Sequence, residues 1–410
     1  MAKKKIIIIG GGMAGMTAAI IAAQNGAKVT LFERNDKIGK KLAVTGNGRC
    51  NISNQHISSQ NYHSSTVNIF QNIYSQFDLS QTVLFFQSIG IDLVELEEGK
   101  LYPQSLQASS VVKALLYRAT ELGVEIIYHQ RILDIEYTNK FRVYGQEQTF
   151  YGEYLIIATG GKSYSASGST GDGYALAKSF GHQIIEPMPS IVQLVTKSMY
   201  NKSLKGLKVQ AKAQLVCDET QTVLREEVGE VLFTEYGLSG PTILQLSTLV
   251  APLLKKGMSL SVHLDFFPEK THEEIDAYLT TRFTQFPTRS LEQVLNGYIN
   301  QRLIIPLIKY LELDHLKQAA NITKKERHAL AKGLKNFWQT IESTYIWNQA
   351  QVTKGGVSCY EVDPQTLEST KQKKLYFIGE VLDIDGDCGG YNLQWAISSA
   401  AVVSQDILQG

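Results

Sequence analysis

The stretch that most constrains this chain runs from its first apolar segment to Glu33. Ile6 to Ile9 is a short, wholly β-branched run, the pattern of a parallel strand covered on both faces. Gly10, Gly12 and Gly15 follow in GxGxxG spacing, Met16 to Asn25 reads as a helix closed by Gly26, and a second strand, Lys28 to Phe32, ends at Glu33. A GxGxxG alone is often just a tight turn. In the order strand, turn, helix, strand, acid it becomes a dinucleotide fingerprint. The glycines let the backbone approach a pyrophosphate, the helix N–H groups meet its charge, and an acid about 20 residues further on binds ribose hydroxyls. The expected fold class is therefore α/β, with a doubly wound, Rossmann-like domain.

Two later segments choose the dinucleotide. Tyr154 to Gly161 reads YLIIATGG, a strand running into Thr159, Gly160 and Gly161, and Leu375 to Glu380 reads LYFIGE ahead of the glycine-rich stretch Asp383 to Asn392. Large FAD enzymes fold this way, with the last strand and helix returning from the C-terminus to the flavin. A second GxGxxG of comparable quality is missing, so a permanently bound FAD fits and a separate NAD(P)H domain does not.

Composition narrows the partners. The 410 residues carry 40 Lys and Arg against 39 Asp and Glu, a formal charge of +1, which argues against a generic nucleic-acid binder with its basic excess. The length predicts two or three domains. Cys50, Cys217, Cys359 and Cys388 are scattered, without a CxxC pair or a His at metal-ligand spacing, which disfavours a disulfide framework, a zinc site and a dithiol relay. The lysines and apolar run of Met1 to Ala23 superficially match a secretory leader, but Gly10, Gly11 and Gly12 interrupt it. No stretch reaches the roughly 18 unbroken apolar residues of a membrane span. A cytoplasmic protein is the expectation.

With these pieces placed, the chain resembles the HI0933-like flavoproteins, also called the aminoacetone oxidase family. The matching stretches are KLAVTGNGRCNISN (Lys41 to Asn54), ATGGKSYSASGSTGDGYALA (Ala158 to Ala177), GEVLFTEYGLSGP (Gly229 to Pro241), VTKGGV (Val352 to Val357) and GEVLDIDGDCGGYNLQWA (Gly379 to Ala396). The resemblance implies a discontinuous FAD domain from residues 1–190 and 350–410, an inserted β domain from 191–268 and 336–349, and a helical insert from 269–335. The residues agree independently. Val209, Ala211, Ala213 and Leu215 alternate with polar residues, as do Leu260, Val262 and Leu264, the period of half-buried strands. Capping-box pairs then appear at Thr271 with Glu274, Ser290 with Gln293 and Thr323 with Glu326, marking helix starts.

The cofactor is expected to meet Gly10, Gly12, Met13, Ala14, Gly15, Glu33 and Arg34 at its adenosine end. Lys41, Thr45, Gly46, Gly48, Arg49, Cys50, Asn51 and Ile132 are assigned to it as well, with Thr159, Gly160 and Gly161. From the C-terminal part come Gly355, Gly379, Glu380, Asp387, Gly390, Tyr391, Asn392 and Leu393. Arg49 can neutralise phosphate, bind substrate or pair with a domain carboxylate. Cys50 lacks a resolving partner nearby and reads more readily as a small buried residue. The helix Gln394 to Val403, entered through Gly389 and Gly390, can aim its positive end at the flavin pyrimidine. Asp383, Asp385 and Asp387 lack the glycine and closing Glu of an EF-hand and read as a turn.

Catalytic candidates are Lys354, Tyr164, Tyr391 and Arg49. Segments around Thr353 and Ser169 are similar to those of the fumarate reductase flavoproteins, without the His and Arg residues that clamp a dicarboxylate there. As the resemblance implies, the first expectation is an FAD-dependent oxidase of small primary amines such as aminoacetone, passing electrons to O2 with formation of hydrogen peroxide. A second is an NAD(P)H-driven reductase of activated C=C bonds, and a third a flavin-binding or RNA-modification protein without amine chemistry. The expected partners are a small amine and O2, with neither nucleic acid nor membrane.

Overall fold

The computed structural model describes residues 3–145 and 147–409, so the first two residues of the lysine-rich start lie outside it. These residues divide into two compact units, one formed by Met1–Pro189 with Trp347–Gly410 and the other by Ser190–Ile346.

In the first unit, β1 (Lys5–Ile9) pairs in parallel with β2 (Lys28–Phe32) on one side and with the strand Tyr154–Ile157 on the other. Strands Glu125–Ile127 and Leu375–Phe377 complete a five-stranded parallel sheet with β1 at its centre. Ile6 to Ile9 are buried, because the helix that follows covers one face, the strand Thr149–Gly152 packs on the other, and the run offers no polar side chain to either. The helix α1 (Met13–Gln24) starts three residues before the expected Met16 and ends with Asn25 as its C-cap and Gly26 at φ +89°, the left-handed terminus glycine permits. It starts early because Gly15 belongs to its first turn: a Cβ there would stand 1.9 Å from the Gly10 carbonyl oxygen. Its alanines let the C-terminal helix Tyr391–Gln409 approach closely enough for Ser404 Oγ to donate to the Ala18 carbonyl at 3.2 Å. That helix also exceeds the expected Gln394–Val403, since its polar residues are satisfied internally. Gln394 bonds Ser53, Thr82 and Ser398, and Ser398 donates to the Phe77 carbonyl.

The second unit is a closed barrel of the strands Leu194–Lys197, Gly237–Ser239, Thr222–Phe233, Lys208–Cys217, Leu260–Asp265 and Phe337–Thr344. Ala211, Ala213 and Leu215 point into its core with Leu260, Val262 and Leu264. Helices His272–Gln285, Leu291–Leu295, Gln301–Tyr310 and Lys324–Lys335 lie between its last two strands in sequence and share the barrel's hydrophobic core. The capping boxes at Thr271, Ser290 and Thr323 all form. No helix among the described residues is long and apolar enough to cross a membrane.

Candidate active site

The end of β1 and the start of α1 are built for close approach. Gly10 holds φ +111°, and a Cβ on it would meet the Ala158 carbonyl oxygen at 2.4 Å, whereas a Cβ on Gly12 meets no heavy atom within 4 Å. Gly10 and Gly15 are thus required by the protein's own packing, while the space beside Gly12 is open, with the first-turn amides of Met13 and Ala14 beyond it. Glu33 is buried at the end of β2; its Oε2 accepts from Gly11 N at 3.0 Å and its Oε1 from the backbone and side-chain nitrogens of Asn35 at 2.8 and 2.7 Å. The carboxylate is held in place by donors before any ribose arrives.

Arg34 turns away from Glu33 to Asp172, 3.0 Å distant, where Arg131 also binds both carboxylate oxygens at 2.8 and 2.7 Å. Burial works against ionisation of Asp172, but the hydrogen bonds from Arg131 and Thr170 and the charge of Arg34 hold its carboxyl below the usual range. Ile132, beside Arg131, is buried in the core.

The segment Thr45 to Asn51 holds four left-handed residues, Gly46 at φ +56°, Asn47 at +56°, Gly48 at +82° and Cys50 at +63°. Asn47 and Cys50 are not glycine, and each such conformation costs on the order of 1 kcal/mol. The loop is closed by Cys50 N donating to the Thr45 carbonyl at 3.0 Å and Arg49 N to the Gly46 carbonyl at 3.2 Å. Burial pushes the Cys50 thiol up to about 12, which makes it a packing residue rather than a thiolate. Arg49 lies over the Tyr102 ring, 5.1 Å from its centroid. Asn51 Oδ1 is buried without a hydrogen-bond partner among the described residues, an acceptor that a bound group would satisfy.

Glu380 ties the pieces together. Its oxygens accept from Thr353 N at 2.7 Å, Ser163 Oγ at 3.0 Å, Gly161 N at 3.4 Å and Lys41 Nζ at 2.7 Å. The side chains of Glu380 and Lys41 therefore serve the protein's own loops. Gly160 has φ +69°, and Gly161 has to be glycine, because its Cβ would fall 2.2 Å from Thr353 Oγ1. Thr353 Oγ1 in turn accepts from Lys162 N and Ser163 N at 2.8 and 3.0 Å. Tyr164 adopts φ +53° and donates its amide to the Trp347 carbonyl at 3.1 Å.

The C-terminal part returns to the fingerprint. A Cβ on Gly379 would stand 3.1 Å from Ala14 Cβ, one on Gly390 2.4 Å from the Ser53 carbonyl oxygen, and one on Gly355 2.6 Å from the Glu186 carbonyl oxygen. Asn392 Oδ1 accepts from Gly386 N at 2.9 Å, and Tyr391 is buried with its carbonyl accepting from Tyr62 Oη at 2.9 Å. Leu393 packs against the core beside them. Lys354 is buried and donates to Asp385 Oδ1 at 2.8 Å, while Asp387 Oδ1 lies 3.0 Å from His63 Nε2. Removing one partner of such a buried pair typically costs about 3–5 kcal/mol. His63 and Ser163 are not singled out in the sequence, and Asp385 and Thr353 stand out there only as part of a turn and of a segment, not as site residues. Each acts through a contact between distant parts of the chain. The alternation of Asp383, Asp385 and Asp387 was the one local signal.

Residues 4–406 match the family described as HI0933-like protein Rossmann domain. The chain belongs to this family. Its cofactor is FAD, and members are flavoprotein oxidoreductases; the open face at Gly12, the preset Glu33 and the unpartnered Asn51 oxygen fit such a group. The chain is 36% identical over 398 residues to a 3-dehydro-bile acid delta(4,6)-reductase of Clostridium scindens, covering 96% of each protein. It is 30% identical over 405 residues to a ribosomal RNA dihydrouridine synthase of Escherichia coli, covering 98% of this chain and 97% of the relative. Its fold resembles that of a 3-ketosteroid delta1-dehydrogenase of Sterolibacterium denitrificans, with a TM-score of 0.52 at 12% identity over 99% of this chain and 100% of that one.

Proposed function

We propose that this protein is an FAD-dependent reductase that saturates a carbon–carbon double bond conjugated to a carbonyl in a small molecule. What carries the reading is the chemistry shared by the two full-length relatives: their names describe reduction of a bile-acid double bond and of the uracil ring of uridine. Both are additions of hydrogen across a C=C bond next to a carbonyl. When bound, FAD supplies the hydride for such a reaction.

The chain's own residues have three tasks. The turn Gly10–Gly15 and Glu33 bind the adenosine and pyrophosphate half of the cofactor. The segments Thr45–Asn51 and Gly389–Leu393 embrace the ring half, with the N-terminus of the last helix favouring negative charge there. Lys354 is assigned the carbonyl oxygen of the substrate, where a buried ammonium stabilises the enolate charge that grows as the double bond is attacked. Tyr164, Tyr391 and Arg49 are assigned to the walls of the substrate site. The balanced charge of +1 favours a small enone over a polyanionic RNA. Oxidation of small primary amines, expected from the family resemblance, is a competing arm of the same test.

The test is anaerobic rapid mixing. Pre-reduced holoprotein is mixed with a 3-keto-4-ene steroid, with cyclohexenone and with uridine-containing RNA, and oxidised holoprotein is mixed with aminoacetone. Fast return of the flavin band with an enone supports the reading. Reoxidation by RNA alone, or bleaching by the amine with no response to any enone, overturns it.

A further inference from the structure

Residues 383–387 run antiparallel to residues 61–66, and the three carboxylates of the first segment meet the second. Asp383 Oδ2 accepts from Ser65 N at 2.9 Å and from Ser64 Oγ and Thr66 Oγ1 at 3.1 Å. Asp385 lies opposite His63 in a two-stranded ladder, and Asp387 N donates to the Asn61 carbonyl at 2.9 Å. Residues directly opposite in such a ladder share a face, with Cβ atoms about 4.5–5.5 Å apart. The His63 ring therefore stands beside Asp385 while bonding to Asp387. Side-chain exposure is 30% at His63 but only 9% at Asp387, 10% at Lys354 and 0% at Asp385, so the group opens to solvent at His63. At the buried end, Asp385 Oδ2 has no hydrogen-bond partner among the described residues.

The surroundings are rich in groups that hold protons. Burial pushes the Asp385 carboxyl up, Lys354 and His63 oppose it, and Asp387 adds to it. Asp383 is raised by burial and by Asp385, and the Tyr62 and Tyr391 phenols are raised by burial and by Asp387.

From this geometry we infer that Asp385 is a positioning residue that fixes the Lys354 ammonium and, with Asp387 and His63, passes protons between solvent and the buried site. The inference rests on the reading that Lys354 faces the reacting carbonyl. Saturation of a conjugated C=C bond takes a hydride at the β carbon and a proton at the α carbon. The hydride carries both electrons out of the reduced cofactor, and the π pair of the double bond becomes the new bond to the proton. That proton leaves Lys354 Nζ; Asp385, Asp387 and His63 return one from water, so each turnover consumes one solvent proton at His63.

The experiment uses holoprotein and begins without substrate. Infrared difference spectra are recorded on photochemical reduction of the bound FAD. The carbonyl stretch of a protonated carboxyl should change on reduction, shift in D2O and vanish in Asp385→Asn. If that variant does not fold, the double variant Lys354→Met/Asp385→Asn, which removes both charges together, should also lack the band. Absence of the band in the wild type, or its persistence in these variants, overturns the inference. In the second arm, His63→Gln with full FAD content should be reoxidised by enone at least tenfold more slowly, and imidazole should restore the rate. A merely structural role predicts no rescue, and that result also overturns the relay. A wild type that shows the infrared band but responds to no enone instead refutes the proposed reaction and leaves the relay standing.

Discussion

Gly12→Val separates cofactor binding from folding. Gly12 caps α1 with φ −81° and ψ −171°, an extended conformation open to any residue, and its Cβ position has no neighbour within 4 Å. The apoprotein should therefore keep its stability within about 0.5 kcal/mol, or gain up to about 1 kcal/mol because the unfolded chain loses freedom. The valine instead occupies the approach to the helix amides. A hundredfold loss of FAD affinity is about 2.7 kcal/mol, and the holoprotein's extra stability, also about 2.7 kcal/mol at a free ligand concentration of 100 wild-type Kd, falls to about 0.4 kcal/mol. Gly15→Ala is the contrasting case. Its Cβ would sit 1.9 Å from the Gly10 carbonyl oxygen, where real contacts stay beyond 3.0 Å, so α1 has to move off β1 by about 1 Å at a cost of about 1–3 kcal/mol. Urea unfolding followed by circular dichroism, on apo and FAD-loaded forms, checks both. Gly12→Val should be colourless and unfold with wild-type apoprotein, and Gly15→Ala should unfold earlier in both forms. A yellow Gly12→Val with full FAD, or an apo form that unfolds as early as Gly15→Ala, refutes the reasoning.

Glu33→Ala leaves Gly11 N and Asn35 N without their buried acceptor and should cost about 1–3 kcal/mol in urea unfolding of apoprotein, whereas Glu33→Gln, which keeps an oxygen, should cost less. His182 is buried and its folded pKa is lowered from 6.5 by burial. The unfolded chain therefore binds the extra proton first, so stability is full above about pH 6.5 and falls as the pH drops toward the folded value, by at most about 1.4 kcal/mol per pH unit. His182→Gln should flatten that slope in unfolding midpoints measured from about pH 7 to 5. Asp172, lowered from 3.8, contributes stability above that value that is lost as pH falls through the folded one. Asp172→Asn should lose up to about 1 kcal/mol at neutral pH, because Arg131 is largely solvent-exposed, and nothing further in acid.

The parts of the fold that were legible in the sequence are those governed by neighbours in the chain. The Gly10, Gly12, Gly15 spacing, the strand Lys28–Phe32 and the capping boxes at Thr271, Ser290 and Thr323 each need only a few consecutive residues to be recognised. Helix starts were read late at α1 and at the C-terminal helix. Glycines look like helix breakers in sequence, yet Gly15 is the residue that lets α1 begin so close to β1. The site was legible as a set of loops but not as a set of contacts. Nothing local shows that the Glu380 side chain binds Lys41 and Thr353, that Arg34 turns to Asp172, or that Lys354 finds Asp385. These pairings are decided by how the sheet brings distant segments together.

The most direct measurement is a single anaerobic turnover with product analysis. Holoprotein reduced at its FAD is mixed with one equivalent of a 3-keto-4-ene steroid, and the quenched mixture is examined by mass spectrometry and chiral chromatography. One saturated ketone, heavier by two hydrogens and of a single configuration, is expected for each flavin reoxidised. Unchanged steroid beside flavin that stays reduced until O2 is admitted would rule out reduction of the conjugated double bond.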